Sequence, residues 1–307
     1  MPEYYSSNQD CTMQKIPSYL LGLLCAASVA ACGSGTDSKN TADSTAAKDS
    51  TTTATGVNYR IGVQMWTFRV FPFADALDKV DSAGIKNIEA FWGQDLGAGM
   101  KGKFGGDMTD EEKTKVKDLL AKKGISIVAM GVIVPKDKAE WIKAFELAKY
   151  FGLSYITSEP IKSQWGMVDS LAGAYGIKVA IHDHPKPNVY WHPDSVLAAI
   201  QGHPNIGACA DIGHWARNGL NPVDCLKKLE GHIYGAHLKD IVKFDDPKAA
   251  DTVVTKGVID LPPVFAELKR QNFTGMMSIE HESNWYHNLP DVIFTKQYFD
   301  EQTSKLK

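Results

Sequence analysis

The chain has 307 residues, with 33 Lys and Arg against 36 Asp and Glu and a formal net charge of −3. No basic run interleaved with aromatics appears, which excludes a nucleic-acid-binding face. A hydrophobic content of 44% excludes a chain disordered throughout and supplies a large core.

The first feature in chain order is the apolar run Leu20–Ala31 (LLGLLCAASVAA), followed at once by Cys32. Spanning a bilayer takes ~20 apolar residues, so this shorter run with its small-residue end predicts a secretory signal. The stretch Val29-Ala30-Ala31-Cys32 resembles a bacterial lipobox, which implies a lipidated Cys32 at the mature N-terminus. Glu3 and Asp10 are acidic where a signal needs positive charge, so Met13, with Lys15 behind it, is the expected true start. Residues 33–57 (GSGTDSKNTADSTAAKDSTTTATGV) hold almost nothing for a core and are predicted to be a disordered tether. Together these segments predict an envelope protein, periplasmic or outer-membrane, that meets the membrane only through its lipid. Of the remaining cysteines, Cys209 and Cys225 form no CxxC pair and read as ordinary buried thiols.

About 250 residues are left, the usual size of one barrel domain. Strands are predicted at 60–66, 86–91, 125–131, 153–158, 177–182, 206–211, 232–238 and 275–281, with amphipathic helices between them. Residues 109–123 open on Thr109 with Glu112 three positions later, a capping box. Gly84, Gly124, Gly152 and Gly176 each stand before a strand, where a helix C-cap belongs. The helix between 160 and 176 is short. Strict βα alternation over eight units predicts a single (β/α)8 TIM barrel over residues 58–307, after a signal (1–32) and a tether (33–57). The chain leaves homo-oligomerisation open.

Side chains alternate along a strand. One parity is apolar (Ile61, Val63, Met65; Val179, Ile181; Met277, Ile279) and suits packing under helices. The other is small or polar: Gly62, Gln64, Trp66; Ala180, His182, His184; Gly207, Cys209, Asp211; Ser278, Glu280. It suits a barrel interior, and its polar members collect at C-terminal strand ends, where barrels keep their chemistry. Four residues at such ends, Glu159, Asp211, His237 and Glu280, make an oxygen-rich set for one divalent cation, Mn²⁺, Mg²⁺ or Co²⁺. A cation there can bind a hydroxyl and a neighbouring carbonyl and stabilise an enediolate.

Asp211-Ile-Gly-His214, His237-Leu-Lys239-Asp240 and Ser278-Ile-Glu280 resemble motifs of the xylose isomerase-like barrel superfamily, which includes sugar phosphate isomerases/epimerases, ketose 3-epimerases and inosose dehydratases. The resemblance covers about residues 58–305, with Lys256–Asp260 similar to the family's loop before the last helix. It implies a metal on Glu159, Asp211, His237 and Glu280, with His214 contacting substrate or supporting the ligands. Ketose 3-epimerases carry a proton-transferring Glu at the end of strand five, whereas this chain has His182-Asp183-His184. An imidazole there can move a proton, or orient a metal ligand, and the pattern is closer to the inosose dehydratase branch.

The candidate catalytic residues are therefore His182, His184, Glu280 and Glu159. The substrate-binding candidates are Gln64, Trp66, Glu89, His214 and Lys239. Trp66, Phe91 and Trp92 are candidates for stacking on a sugar, and Trp285, Tyr286 and His287 for covering the site. His192, His203 and His232 read as structural. The leading expectation is a metal-dependent sugar isomerase or epimerase that removes a proton beside a carbonyl. The alternatives are a lyase or dehydratase eliminating from a keto-sugar or 3-keto-glycoside, and a non-catalytic sugar-binding lipoprotein. An apurinic endonuclease of the same superfamily would need a longer His-rich metal set and a basic face. The partners expected are a small carbohydrate and the membrane through the anchor, with no nucleic acid.

Overall fold

A computed structural model describes residues 57–306. The expected signal, the lipidation site Cys32 and residues 33–56 of the tether lie outside the described residues. Among the described residues no helix is long and apolar enough to cross a membrane.

Eight strands carry the fold: β1 (Arg60–Gln64), β2 (Asn87–Ala90), β3 (Ser126–Ile133), β4 (Tyr155–Ser158), β5 (Lys178–His182), β6 (Ile206–Asp211), β7 (Ile233–Leu238) and β8 (Met276–Ile279). They pair in parallel around a closed ring, with β8 returning to β1. Helices separate them: Phe73–Ser82, Asp110–Lys123, Lys138–Phe151, Trp165–Tyr175, Pro193–Ile200, the pair Ile212–Arg217 and Pro222–Lys228, and Leu261–Arg270. Leu289–Ser304 closes the chain. The eight-unit barrel expected from the alternation is the observed architecture.

Local chemistry explains the element ends. Thr109 and Glu112 form the reciprocal capping box, worth ~1 kcal/mol to the helix. Gly124 and Gly152 end their helices at φ +59° and +73°, a left-handed conformation that costs other residues energy. The helix Phe73–Ser82 buries Phe73, Ala76, Leu77 and Val80 on one stripe, with ~1.5–3 kcal/mol gained for each large side chain. Strand β1 stops at Gln64, two residues short of expectation, because the Gln64 side chain accepts the Trp66 N–H and starts the turn Met65–Phe68. Strand β8 stops at Ile279 because the Thr67 hydroxyl takes over the ladder, donating to Ile279 O and accepting from His281 N. A short helical turn, Lys162–Gln164, precedes the Trp165–Tyr175 helix. The hairpin Asp95–Gly97 with Met100–Lys103 and the pair Asp240–Ile241 with Asp251–Thr252 are additions that strand periodicity did not indicate.

The barrel interior is a cluster apart from the main core. Val128, Ala129, Tyr155, Ala180, Cys209 and Met276 pack together inside the ring, while Val63, Val179, Ile181, Met277 and Ile279 belong to the larger cluster under the helices. Large and small residues alternate across this floor. A Cβ on Gly207 would come within 2.4 Å of the Tyr234 ring and 2.5 Å of His232 O, so only glycine leaves room there. Cys209 and Cys225 are both buried free thiols.

Candidate metal centre and adjoining cavity

The site stands directly above that floor. Strands β5, β6 and β7 and the residue after β8 bring His182, Asp211, His237 and Glu280 together, all buried, with one ligand-capable atom of each within 4.8 Å of the others. His237 Nδ1 lies 2.9 Å from Glu280 Oε2 and 3.1 Å from His182 Nε2. Asp211 Oδ2 is 3.6 Å from His182 Nε2, His214 Nε2 and Lys239 Nζ and 3.7 Å from His237 Nδ1, yet it has no hydrogen-bond partner. A buried carboxylate oxygen left unpartnered among nitrogen donors is costly on its own. Two imidazoles and two carboxylates converging beside it fit a divalent cation.

The fourth place anticipated for Glu159 is filled here by His182. Glu159 hydrogen-bonds His184 Nδ1, accepts from Asn188 Nδ2 at 2.6 Å and lies 3.7 Å from His182 Nδ1. It forms a neighbouring cluster with His182 and His184. Burial opposes its charge, but hydrogen bonds from His182 and His184 prevail and hold it well below the usual carboxylate range. His184 spends Nδ1 on this carboxylate, is 41% exposed and lines the cavity.

Beneath the ligands, Glu89 is fully buried and pairs with His237 Nε2 at 2.9 Å while accepting from Ser278 Oγ at 3.0 Å. Glu89 was expected to line the sugar pocket; instead it fixes the ring of a metal-ligand candidate and leaves Nδ1 facing Asp211. Burial disfavours the His237 charge, but Cys209, Glu89 and Glu280 hold its pKa well above the imidazole range.

His214 is placed by its own helix. Its N–H donates to Asp211 Oδ1 at 2.9 Å, and Arg217 Nη1 lies 2.8 Å from its Nδ1. A guanidinium only donates, so Nδ1 accepts and the proton sits on Nε2, a buried atom with no partner. Burial holds this imidazole well below its ordinary range. Arg217 is itself tied to Asp251, whose other oxygen accepts the Glu282 N–H. Lys239 is buried 3.3 Å from Glu280 and 3.8 Å from Asp251 and hydrogen-bonds Glu282. Burial opposes its charge, yet Asp211, Glu280, Asp251 and Glu282 keep it firmly cationic. Asp183 departs the other way: burial and Asp211 push its carboxyl well up.

A cavity of about 240 Å³ opens above these groups, lined by Gln64, Trp66, Phe91, Gly131, Val132, His184, Glu280 and Glu282. Glu89, His214 and Lys239 sit behind that lining. Gln64 is fixed by a hydrogen bond to Gly131 O. Trp66 donates to Glu282 at 3.1 Å and meets the Phe91 ring edge-on. The Arg69 guanidinium lies 4.2 Å from the Trp66 ring and 3.8 Å from the Trp285 ring, the two indoles standing nearly perpendicular, and these cation–π contacts tie the 281–288 loop to the cavity wall. Tyr286 packs on Phe71 and remains 68% exposed. His192 caps the Pro193–Ile200 helix and His203 bonds Ala199 O.

Sequence reading missed Asp183, Asn188, Arg217, Asp251 and Glu282. Glu282 continues the inward parity of Glu280, and Arg217 stands one helical turn after His214, so both had a signal. Asp251 lies in a long loop and had none.

Residues 77–297 match the family model described as xylose isomerase-like TIM barrel. A Clostridium botulinum protein named inosose dehydratase is 30% identical over 151 residues, covering 44% of this chain and 51% of its own. A Clostridium perfringens protein of the same name is 26% identical over 202 residues, covering 57% and 67%. The chain thus spans about half the length of the first of these relatives. A solved structure of a putative uncharacterized protein from Parabacteroides distasonis is 33% identical with a TM-score of 0.66, covering 80% of this chain and 99% of that one.

Proposed function

Because this chain belongs to the xylose isomerase-like TIM barrel family, we propose that it is a metal-dependent lyase that eliminates a substituent from a keto-sugar. The observation that carries this reading is the Glu159–His184 pair on the cavity side of a four-residue metal centre. Two-base epimerisation needs a second glutamate at the end of β5, and His182 stands there among the ligand candidates. Isomerisation or epimerisation, the first expectation from the sequence, is therefore less well supported than elimination. The similarity to proteins named inosose dehydratase points the same way.

In this proposal His182, Asp211, His237 and Glu280 hold the cation, and two imidazoles favour a first-row transition metal over Mg²⁺. When bound, such an ion polarises a ketone and an adjacent hydroxyl. His184, oriented through Nδ1 by Glu159, takes the proton from the carbon beside the ketone. The bond from the next carbon to its oxygen substituent then breaks, and the imidazolium supplies the proton that the departing oxygen needs. Lys239 and the Nε2–H of His214 hold positive charge and a donor next to Asp211, where negative charge builds up during reaction. An envelope location with lipid on Cys32 belongs to the same proposal; palmitate labelling that persists in Cys32→Ala would remove it.

The test is to incubate the Mn²⁺-loaded protein with ketoses and 3-keto-glycosides in D₂O. An unsaturated ketone and a released alcohol or water, both lost in Glu280→Ala, are the expected result. Deuterium uptake with inversion and no elimination would return the reading to epimerase.

A further inference from the structure

We propose that the keto-sugar carries a second ring as its leaving group, and that this ring lies in a groove next to the metal-site cavity. The proposal rests on the lyase reading above and names its substrate class. The cavity and the groove share one wall residue, Val132. The groove measures about 350 Å³ and is bounded by Trp92, Val132, Val134, Asp107, Glu140 and Lys143. Small-molecule sites occupy ~300–1,000 Å³. The cavity of about 240 Å³ falls short of that range alone, whereas cavity and groove together lie within it.

Side-chain chemistry divides the same way. Phe91 and Trp92 are neighbours in sequence, yet Phe91 lines the cavity and Trp92 the groove. The back of the Trp92 indole rests on glycine backbone, because a Cβ on Gly105 or Gly106 would come within 3.1 Å of it. That support fixes the ring, which lines the groove together with an exposed apolar Val134 (57%). The rim is polar: Lys143 pairs with Asp107 at 2.7 Å. An aromatic plate with an apolar neighbour and a rim of hydroxyl-binding charges fits a pyranose, whose faces are apolar and whose edges are not. Loss of water would leave this groove without a role.

For a 3-keto-glycoside the balance is simple. The C2–H proton leaves to the base, the electron pair forms the C1–C2 double bond, and the C1–O bond breaks. The glycosidic oxygen departs with a proton as an alcohol, and no oxidant or reductant is needed. The glycosidic bond would span cavity and groove at Val132.

The test compares kcat/KM of the Mn²⁺-loaded protein for methyl 3-ketoglucoside and for a 3-keto disaccharide. Wild type should prefer the disaccharide, and Trp92→Ala should lower that preference about tenfold. Because Trp92 supports a loop, Val134→Trp is a second variant: it fills the groove from an exposed position and should lower the same ratio. A ratio unchanged in both variants, or a wild type indifferent to the second ring, overturns the proposal. If neither sugar is eliminated, the lyase reading fails by itself. Calorimetric binding of the same two sugars then decides the groove: tighter binding of the disaccharide, lost in Val134→Trp, supports it, and equal binding overturns it.

Discussion

The two ends of the barrel interior are built from the same strands and obey opposite rules. At the floor, Ala180, Cys209 and Met276 pack with Val128, Ala129 and Tyr155 as one buried cluster. One inward step further along the strands, Ala180 gives way to His182, Cys209 to Asp211 and Gly235 to His237, and β8 runs through Ser278 to Glu280. The floor is held by complementary volume, so its tolerance is set by sterics. The upper layer holds ionised groups out of water, at a cost that is offset only when every charge finds a partner. Asp211 Oδ2, buried and unpartnered, marks where the protein's own groups leave that pairing incomplete. A fold supplies the rigid floor, and the site above it spends part of the stability gained there on reactivity.

Substitutions at the two ends should therefore fail differently, and the largest effect is expected from a ligand. Asp211→Ala should abolish stoichiometric metal in elemental analysis and lower kcat/KM well beyond the ~100-fold typical of outer-shell changes. Retained metal with near-normal turnover would dissolve the distinction between the two layers. Glu89→Gln, at the boundary between them, keeps volume but weakens the hold on His237 Nε2. A loss of ~10–100-fold in metal affinity is expected, read by competition with a chelating dye.

Proton competition sharpens the comparison. Burial disfavours charge on His182, but Asp211 and Glu159 outweigh it and raise its pKa from 6.5 to about 9 in the metal-free protein. A raised pKa stabilises the apo fold below pH 6.5, and that contribution fades as pH rises through about 9. A cation must displace this proton and the one held on His237, so metal affinity should climb by up to about a hundredfold per pH unit while both imidazoles keep their protons. Affinity flat between pH 6 and 8.5 would exclude both imidazoles as ligands. At the floor, Gly207→Ala forces a Cβ against His232 O. It should cost about 1–3 kcal/mol, a melting-temperature drop of a few degrees per kcal/mol, with metal stoichiometry intact. Loss of metal in this variant would show that floor and site are not separable.

How far the sequence foretold this follows from what kind of force set each feature. Strand positions came from alternation and apolar runs, and the Thr109 box and glycine caps came from contacts within a few residues, so all were legible. Inward parity was legible too, and it correctly sorted Ala180, Cys209 and Ser278 from Val179 and Ile279. The Glu89–His237 pair joins residues 148 apart in sequence, and the Arg217–Asp251 pair spans 34; no local pattern encodes such meetings.

By itself the sequence determined a βα alternation, an inward face and a set of carboxylates and imidazoles at strand ends, because each depends only on neighbours along the chain. It put Glu159 in the ligand set and gave His182 a proton-moving or ligand-orienting role, with no means to test that choice. Tertiary structure chose, because β5 lies between β4 and β6 in the closed ring. The His182 ring consequently stands between Glu159 and Asp211, with one nitrogen 3.7 Å from the first and the other 3.6 Å from the second. Which side chains share a cation is decided by the order and register of strands, and those are properties of the whole barrel.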